Sequence, residues 1–169
     1  MFKLKEKIRD SIGVKGFYRL QITENKKSGE TKVVGDSGWF KNAVTNDGFD
    51  QYLVRLIGAQ ASSKQISHVA LGTGGAPAAT DTTLAGEITH ASNSRKAVTA
   101  SSVSSKTQRF TATFASSDSF VTATANISNI GLFQQSNTNT ATLFAGNTFT
   151  SSALATNQNV NITYEIRFS

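Results

Sequence analysis

Cysteine is absent from the chain, and proline, methionine and tryptophan occur once each. Without cysteine there is no disulfide framework and no thiolate metal site, and thiol usage says nothing about the redox compartment. Charged residues make up only 17% of the chain and hydrophobic ones 38%, so both solvating and core-forming groups are scarce. Serine, threonine and asparagine fill the gap and crowd the second half. No apolar run approaches the roughly 20 residues that a spanning helix needs. Met1-Phe2-Lys3-Leu4-Lys5 carries charge but no apolar h-region, so no secretory signal is expected. No repeat of fixed period stands out. A length of 169 residues suits one domain with a short appended arm.

The net charge is +6, and its distribution is uneven. Residues 1–55 hold eleven of the seventeen lysines and arginines. Lys3, Lys5, Lys7, Arg9, Lys15 and Arg19 face only Glu6 and Asp10 in the first twenty positions. A basic arm of this kind suits nucleic acid or an acidic protein face. Nothing here has the pattern of a helix-turn-helix, a zinc finger or an aromatic-basic stacking platform. Docking on an acidic protein surface is therefore placed ahead of DNA, level with a merely solvated end.

Within residues 1–15, Leu4, Ile8 and Ile12 recur every four positions and would line one face of a short helix ending near Gly13 and Gly16. Isolated short helices are marginal in water, so the spacing predicts a segment that needs a partner. In 17–24, Tyr18, Leu20 and Ile22 alternate with Arg19, Gln21 and Thr23, the pattern of a half-buried strand. Asn25 to Gly29 reads as a turn, with Thr31–Val34 returning beside it. Residues 46–57 carry Phe49, Tyr52, Leu53, Leu56 and Ile57 at i, i+3, i+4, i+7 and i+8. This predicts an α-helix capped by Asn46 and ended by Gly58, with Phe49, Leu53, Leu56 and Ile57 buried against Ile162, Tyr164 and Ile166.

Short strands are expected over 66–71, 97–103, 108–114, 120–127, 130–133 and 143–145. The last strand is the clearest, with Val160, Ile162, Tyr164, Ile166 and Phe168 at period two. The expected fold is mainly β, an antiparallel, jelly-roll-like β-sandwich over residues 16–169 that includes the one helix, preceded by an extended arm over 1–15. A closed barrel is the competing architecture.

Catalytic groups are scarce. His68 and His90 lie in strand or loop contexts with no carboxylate cluster, so neither a metal site nor any other cofactor is expected. Beyond residue 55 the only acids are Asp81, Glu87, Asp118 and Glu165. Asp81 suits a turn that bonds backbone amides, Glu87 can pair with Arg95 or Lys96, and Glu165 sits on the polar side of the last strand. Gly72-Thr73-Gly74-Gly75 lacks the lysine of a phosphate loop and reads as a wide turn whose glycines allow positive φ. No Gly-x-Ser-x-Gly elbow exists. These residues point away from an enzyme and towards a structural or binding module.

Three segments taken together carry a resemblance. The first is Trp39-Phe40-Lys41-Asn42-Ala43-Val44-Thr45-Asn46-Asp47-Gly48-Phe49. The second runs from Ile66 through Gly72-Thr73-Gly74-Gly75-Ala76-Pro77 and Asp81-Thr82-Thr83-Leu84 to Glu87. The third is Ile127-Ser128-Asn129-Ile130-Gly131-Leu132-Phe133, followed by Leu143-Phe144-Ala145. In this order, over about residues 17–168, they resemble small structural proteins of tailed-bacteriophage virions. In that family an acidic residue often precedes the Val/Ile-Gly-Leu-Phe run, where Asn129 stands here.

The resemblance implies a non-enzymatic virion protein, first a capsid decoration or cement protein on the particle exterior. It implies synthesis in the host cytoplasm and a homo-oligomer, with a trimer one such arrangement. The partner would be the major capsid protein or another virion structural protein, with no membrane involved. Lys3, Leu4, Lys5, Lys7, Ile8, Arg9, Ile12 and Lys15 are the expected docking residues. The alternatives are a neck, tail or baseplate component that attaches a fibre, and a carbohydrate-binding sandwich that grips glycans through Trp39 or Tyr52. Core packing suits both aromatics better.

Overall fold

The computed structural model describes residues 12–89, 94–138 and 143–169. Its strands are β1 (Val14–Asn25), β2 (Thr31–Asp36), β3 (Phe40–Val44), β4 (His68–Gly72), β5 (Arg95–Ala97), β6 (Thr99–Ser104), β7 (Thr107–Phe114), β8 (Ala125–Phe133), β9 (Ala145–Leu154) and β10 (Gln158–Phe168). All pair antiparallel, in the order β5-β4-β8-β9-β3-β1-β10-β7-β6, with β2 also on β1. The sheet is nearly closed; among the described residues the main helical segment lies between β3 and β4, and a 3-10 turn follows at Ser116–Asp118. The mainly β, antiparallel architecture is the one expected from the strand periodicities.

Strand β1 pairs with β10 from Val14↔Phe168 to Glu24↔Gln158. Its other edge is shared end to end, by β3 at Gly16–Tyr18 and by β2 from Gln21 to Asn25. Strand β3 then leaves β1, and its Ala43 and Val44 pair with Gly146 and Ala145 of β9. It thereby joins the β1/β10/β7 part of the sheet to the β9/β8/β4 part. The period-two apolar residues enclose the core: Tyr18, Leu20 and Ile22 of β1, Val160, Ile162, Tyr164 and Ile166 of β10, and Phe110 and Phe114 of β7 are all buried. Tyr18 contacts Tyr164 and Phe149 at ring separations of 5.8 and 6.4 Å.

Strand β8 is buried on both faces from Ile130 to Phe133. Ile130 and Leu132 belong to the main core, whereas Phe133 joins Ala70, Leu84 and Leu143 in a smaller cluster. Thr73–Gly86 covers this second face. Asn129 Nδ2 donates to the carbonyls of Gly75 (3.1 Å) and Ala85 (2.8 Å), and Ser128 Oγ donates to that of Gly74 (3.0 Å). Leu84 plugs the cluster. Asn46 N donates to Ala79 O at 2.7 Å, and Thr45 N to Phe144 O at 3.0 Å. The three segments that carry the resemblance therefore meet here, and their shared residues close one loop over one sheet.

Several local expectations are corrected. The first strand begins at Val14, so Val14 and Lys15 belong to β1 and not to an arm. Strand β3 was not expected, because Phe40–Val44 has no alternation. The strands expected at 120–127 and 130–133 are one strand, β8, and Phe120 and Val121 are buried in the loop before it. Strand β9 starts at Ala145 and runs on through a Thr/Ser stretch to Leu154.

The helix spans the expected residues but is π-helical over Gly48–Val54 and α-helical over Arg55–Ile57. A wider turn breaks the 3.6-residue stripe. Tyr52 is buried and Leu53 partly so, while Phe49, Leu56 and Ile57 are exposed at 44, 57 and 87%. Thr45 replaces Asn46 as the cap, its Oγ1 accepting from Gly48 N at 3.0 Å. Gly58 has φ −81°, and Ala59 takes the positive φ instead. The positive-φ glycines are Gly29, Gly38 and Gly86, not those of the 72–75 turn. At Gly74 the reason for glycine is contact: a Cβ would lie 2.3 Å from Ala85 O.

Candidate interaction surface

The outward positions of β3, β1, β10 and β7 form rows set by register. Lys41, Phe17, Glu165 and Arg109 lie side by side in one row, Lys15 and Arg167 in the next. Glu165 is 3% exposed although it points outward, because two arginines cover it. Arg109 donates to Oε1 through Nε (2.9 Å) and Nη2 (2.7 Å), and Arg167 donates to Oε2 at 2.9 and 2.6 Å. The Arg167 guanidinium also stacks 4.3 Å over the Phe17 ring and 5.9 Å from that of Trp39. Further along β1, Arg19 forms a two-pronged pair with Asp36. This face thus sets five cations (Lys15, Arg19, Lys41, Arg109 and Arg167) against two carboxylates.

Of the expected docking residues, Lys3, Leu4, Lys5, Lys7, Ile8 and Arg9 lie outside the described residues. Ile12 is exposed, and Lys15 is exposed on β1 opposite Arg167. The chain enters the sheet at the basic end of the face, so Lys15 joins the two features covalently. No local sequence pattern marks Lys41 and Arg109; only cross-strand register brings them beside Phe17 and Glu165.

The candidate catalytic groups stand apart from one another. Asp81 accepts from Ala78 N at 2.8 Å, Glu87 pairs with Arg95, Asp118 with Lys96, and Glu165 with its two arginines. Glu87 thus takes Arg95 of its two expected partners. His68 opens β4, its Nδ1 2.8 Å from Ser67 Oγ, and burial lowers its pKa. His90 lies outside the described residues. Among the described residues no three of His, Asp and Glu gather as a metal site, and no helix is long and apolar enough to cross a membrane. Trp39 is 45% exposed, which corrects its placement in the core, while Tyr52 is buried against Phe144 and offers no glycan platform.

Three carboxyls are held below their ordinary range. Hydrogen bonds from Arg19 and then the Gly38 amide lower Asp36, and the bond from Lys96 lowers Asp118. Burial works to raise Glu165, but Arg109 and Arg167 outweigh it. A depressed carboxyl contributes stability above its unfolded pKa of about 3.9–4.3 and loses it as pH falls through the lower folded value. Burial pushes the Tyr18 phenol up to about 12 and raises that of Tyr164. The folded state therefore holds protons that the unfolded chain releases near pH 10. Urea unfolding should show a plateau from about pH 5 to 9, a fall below about pH 4 and another above about pH 10. Unchanged stability at pH 3 would mean that these ion pairs do not hold the outer face.

Compared with known protein families, curated proteins and solved structures, the chain matches none.

Proposed function

We propose that this chain is a non-enzymatic structural protein of a tailed-phage virion, a capsid decoration or cement protein on the particle exterior. It would bind across capsid-subunit boundaries and brace the shell against internal pressure. One observation carries the docking part: the cationic sheet face at Lys15, Lys41, Arg109 and Arg167 continues into a basic N-terminus, while the rest of the chain is mostly uncharged Ser, Thr and Asn. Such a face suits an acidic protein surface, here the major capsid protein or another virion structural protein. The virion assignment itself rests on the sequence resemblance, as does the homo-oligomer.

Two measurements test this reading. In purified virions the chain should be present in numbers comparable to the major capsid protein; far fewer copies would move it to the neck, tail or baseplate, and none would remove it from the particle. Attachment should weaken as salt rises, because the screening length shrinks from about 10 Å at 0.1 M to about 3 Å at 1 M. Lys15→Glu combined with Lys41→Glu should lower affinity about tenfold, ~1.4 kcal/mol. Affinity indifferent to both salt and charge reversal would dismiss this face as the docking surface. The exposed Trp39 beside Arg167 favours glycan binding as a second reading. A glycan array probed with the native chain and with Trp39→Ala tests it.

A further inference from the structure

An open apolar cavity of about 320 Å³ lies between the helix and the ends of β7 and β10. That volume falls within the roughly 300–1,000 Å³ of small-molecule sites. An engineered cavity of about 150 Å³ takes up a benzene ring, so this one has room for about two such rings. Its walls are largely aromatic: Tyr52 from the helix, Phe110 from β7, Phe144 from the segment before β9 and Phe168 from the end of β10. Tyr52 and Phe144 are buried edge to face at 5.1 Å, and Leu53 and Leu56 complete the helix side.

The helix wall is built on a rare turn. Tyr52 and Leu53 belong to the π-helical stretch Gly48–Val54, and π turns concentrate at functional sites. In a regular α-helix Phe49 would share a face with Tyr52, Leu53 and Leu56. The wider turn leaves Phe49 44% exposed and outside the cavity lining. The chain after the helix is tied back to it: Lys64 N donates to Gln51 O at 2.9 Å, and Arg55 Nη1 donates to Ser62 Oγ at 2.9 Å. The backbone of Lys64 is thereby fixed against the helix, and its half-buried side chain lines the cavity. Among the described residues Lys64 is the one charged group in the lining, and it forms no ion pair with any described carboxylate.

We infer that the cavity binds a small aromatic carboxylate, with its rings among Tyr52, Phe110, Phe144 and Phe168 and its anionic group at the Lys64 ammonium. Aromatic pairs gain more than their buried area alone supplies, which favours rings over an alkyl chain. A cation beside apolar walls attracts an anion more strongly than it does in open water. One lysine balances the single charge of a carboxylate, whereas a phosphate monoester carries about −1.5 to −2 at neutral pH. Aromatic walls also suit a quaternary ammonium ion, but the Lys64 charge repels one. Phe110, Ile166 and Phe168 point to the opposite side of the sheet from Arg109 and Arg167. The site is therefore separate from the cationic docking face and does not depend on the virion assignment.

The probe is 2-naphthoate, titrated calorimetrically into the purified full chain at neutral pH, with 2-naphthamide as the neutral compound of the same shape. The carboxylate should bind in equimolar ratio and about tenfold more tightly than the amide. Lys64→Met should lower affinity for the carboxylate about tenfold and leave that for the amide unchanged. Leu56→Trp, at a residue 57% exposed, should fill the mouth and abolish binding of both compounds while circular dichroism stays unchanged. In amide NMR spectra the carboxylate should shift the signals of Leu53, Leu56 and Ile66, and not those of Arg19 and Thr163 on the outer face. No saturable binding by the full chain, equal affinity for carboxylate and amide, binding that survives Leu56→Trp, or shifts centred on the outer face would each overturn the inference. The comparison of the two compounds requires no variant to fold. It also requires no particles, so its failure is distinct from failure of the virion reading.

Discussion

Glu87→Ala should lower the unfolding free energy by about 3–5 kcal/mol, the loss expected when one partner of a buried ion pair is removed. The Arg95 side chain is fully buried and that of Glu87 is 8% exposed. The guanidinium donates to the carboxylate at 2.7 and 2.9 Å while resting 3.6 Å above the Phe133 ring. Arginine does not discharge itself by losing a proton, so without Glu87 a cation stays buried against an aromatic face. Its one other acceptor among the described residues is Gln135 O, at 3.4 Å. The cost lies in the stranded charge and not in the pair itself. Glu87→Leu combined with Arg95→Met should therefore recover most of the loss. Chemical denaturation of the single and double variants decides the matter. A double variant as unstable as Glu87→Ala would show that the pair itself contributes the stability.

Gly48→Ala is the second large effect. A Cβ at residue 48 would sit 2.2 Å from Phe144 O and 2.8 Å from a methyl carbon of Val44. The obstacle is main chain and cannot rotate away, unlike the tip of a side chain. That carbonyl also accepts the Thr45 amide that leads into the helix, so moving it breaks a bond at the helix entrance. Overpacking costs typically about 1–3 kcal/mol, and loss of a hydrogen bond adds about 1 more. A loss of about 2–4 kcal/mol corresponds to a fall in Tm of about 4–16 °C for a chain of this size. Gly75→Ala is the control, because a Cβ there meets nothing within 4 Å and the backbone is not left-handed. Equal effects of the two alanines would remove close approach as the explanation.

The parts of the fold legible in the sequence are those where one strand face is dry and the other wet. Strands β1 and β10 obey that rule, and their alternation is plain in the sequence. Strand β9 hides from it because Gly146 is buried against Ile130 O and Pro77, and Thr150, Ser151 and Ser152 follow. Strand β3 escapes because its residues turn a corner between two partners and never settle into inside and outside. The helix lies where its apolar spacing predicts it but buries a different face, because a π turn changes which residues share a side without altering the composition. Glu87 and Arg95 are eight residues apart, close enough for sequence reasoning to pair them. Arg109 and Glu165 are 56 apart and meet only through the pairing of β7 with β10, which no local pattern encodes.

That pairing has a consequence for how the chain comes to fold. Strand β1 precedes the other described strands and finds its long partner in β10, which follows them, with contacts reaching from Val14 to Phe168. Contacts between chain ends carry the largest loop-closure entropy and form late in a folding reaction. Strands β4, β5, β8 and β9 can pair among themselves, β1 with β2 and β3, and β7 with β6, while the edges of β1 and β7 that face β10 wait for residues 158–168. Until then the inward side of β1, with Tyr18, Leu20 and Ile22, has no β10 to cover it. This is the unpaired apolar edge through which nascent chains associate wrongly. Pairing with residues 158–168 closes that edge, so a chain lacking them should leave Tyr18, Leu20 and Ile22 uncovered on that side and aggregate.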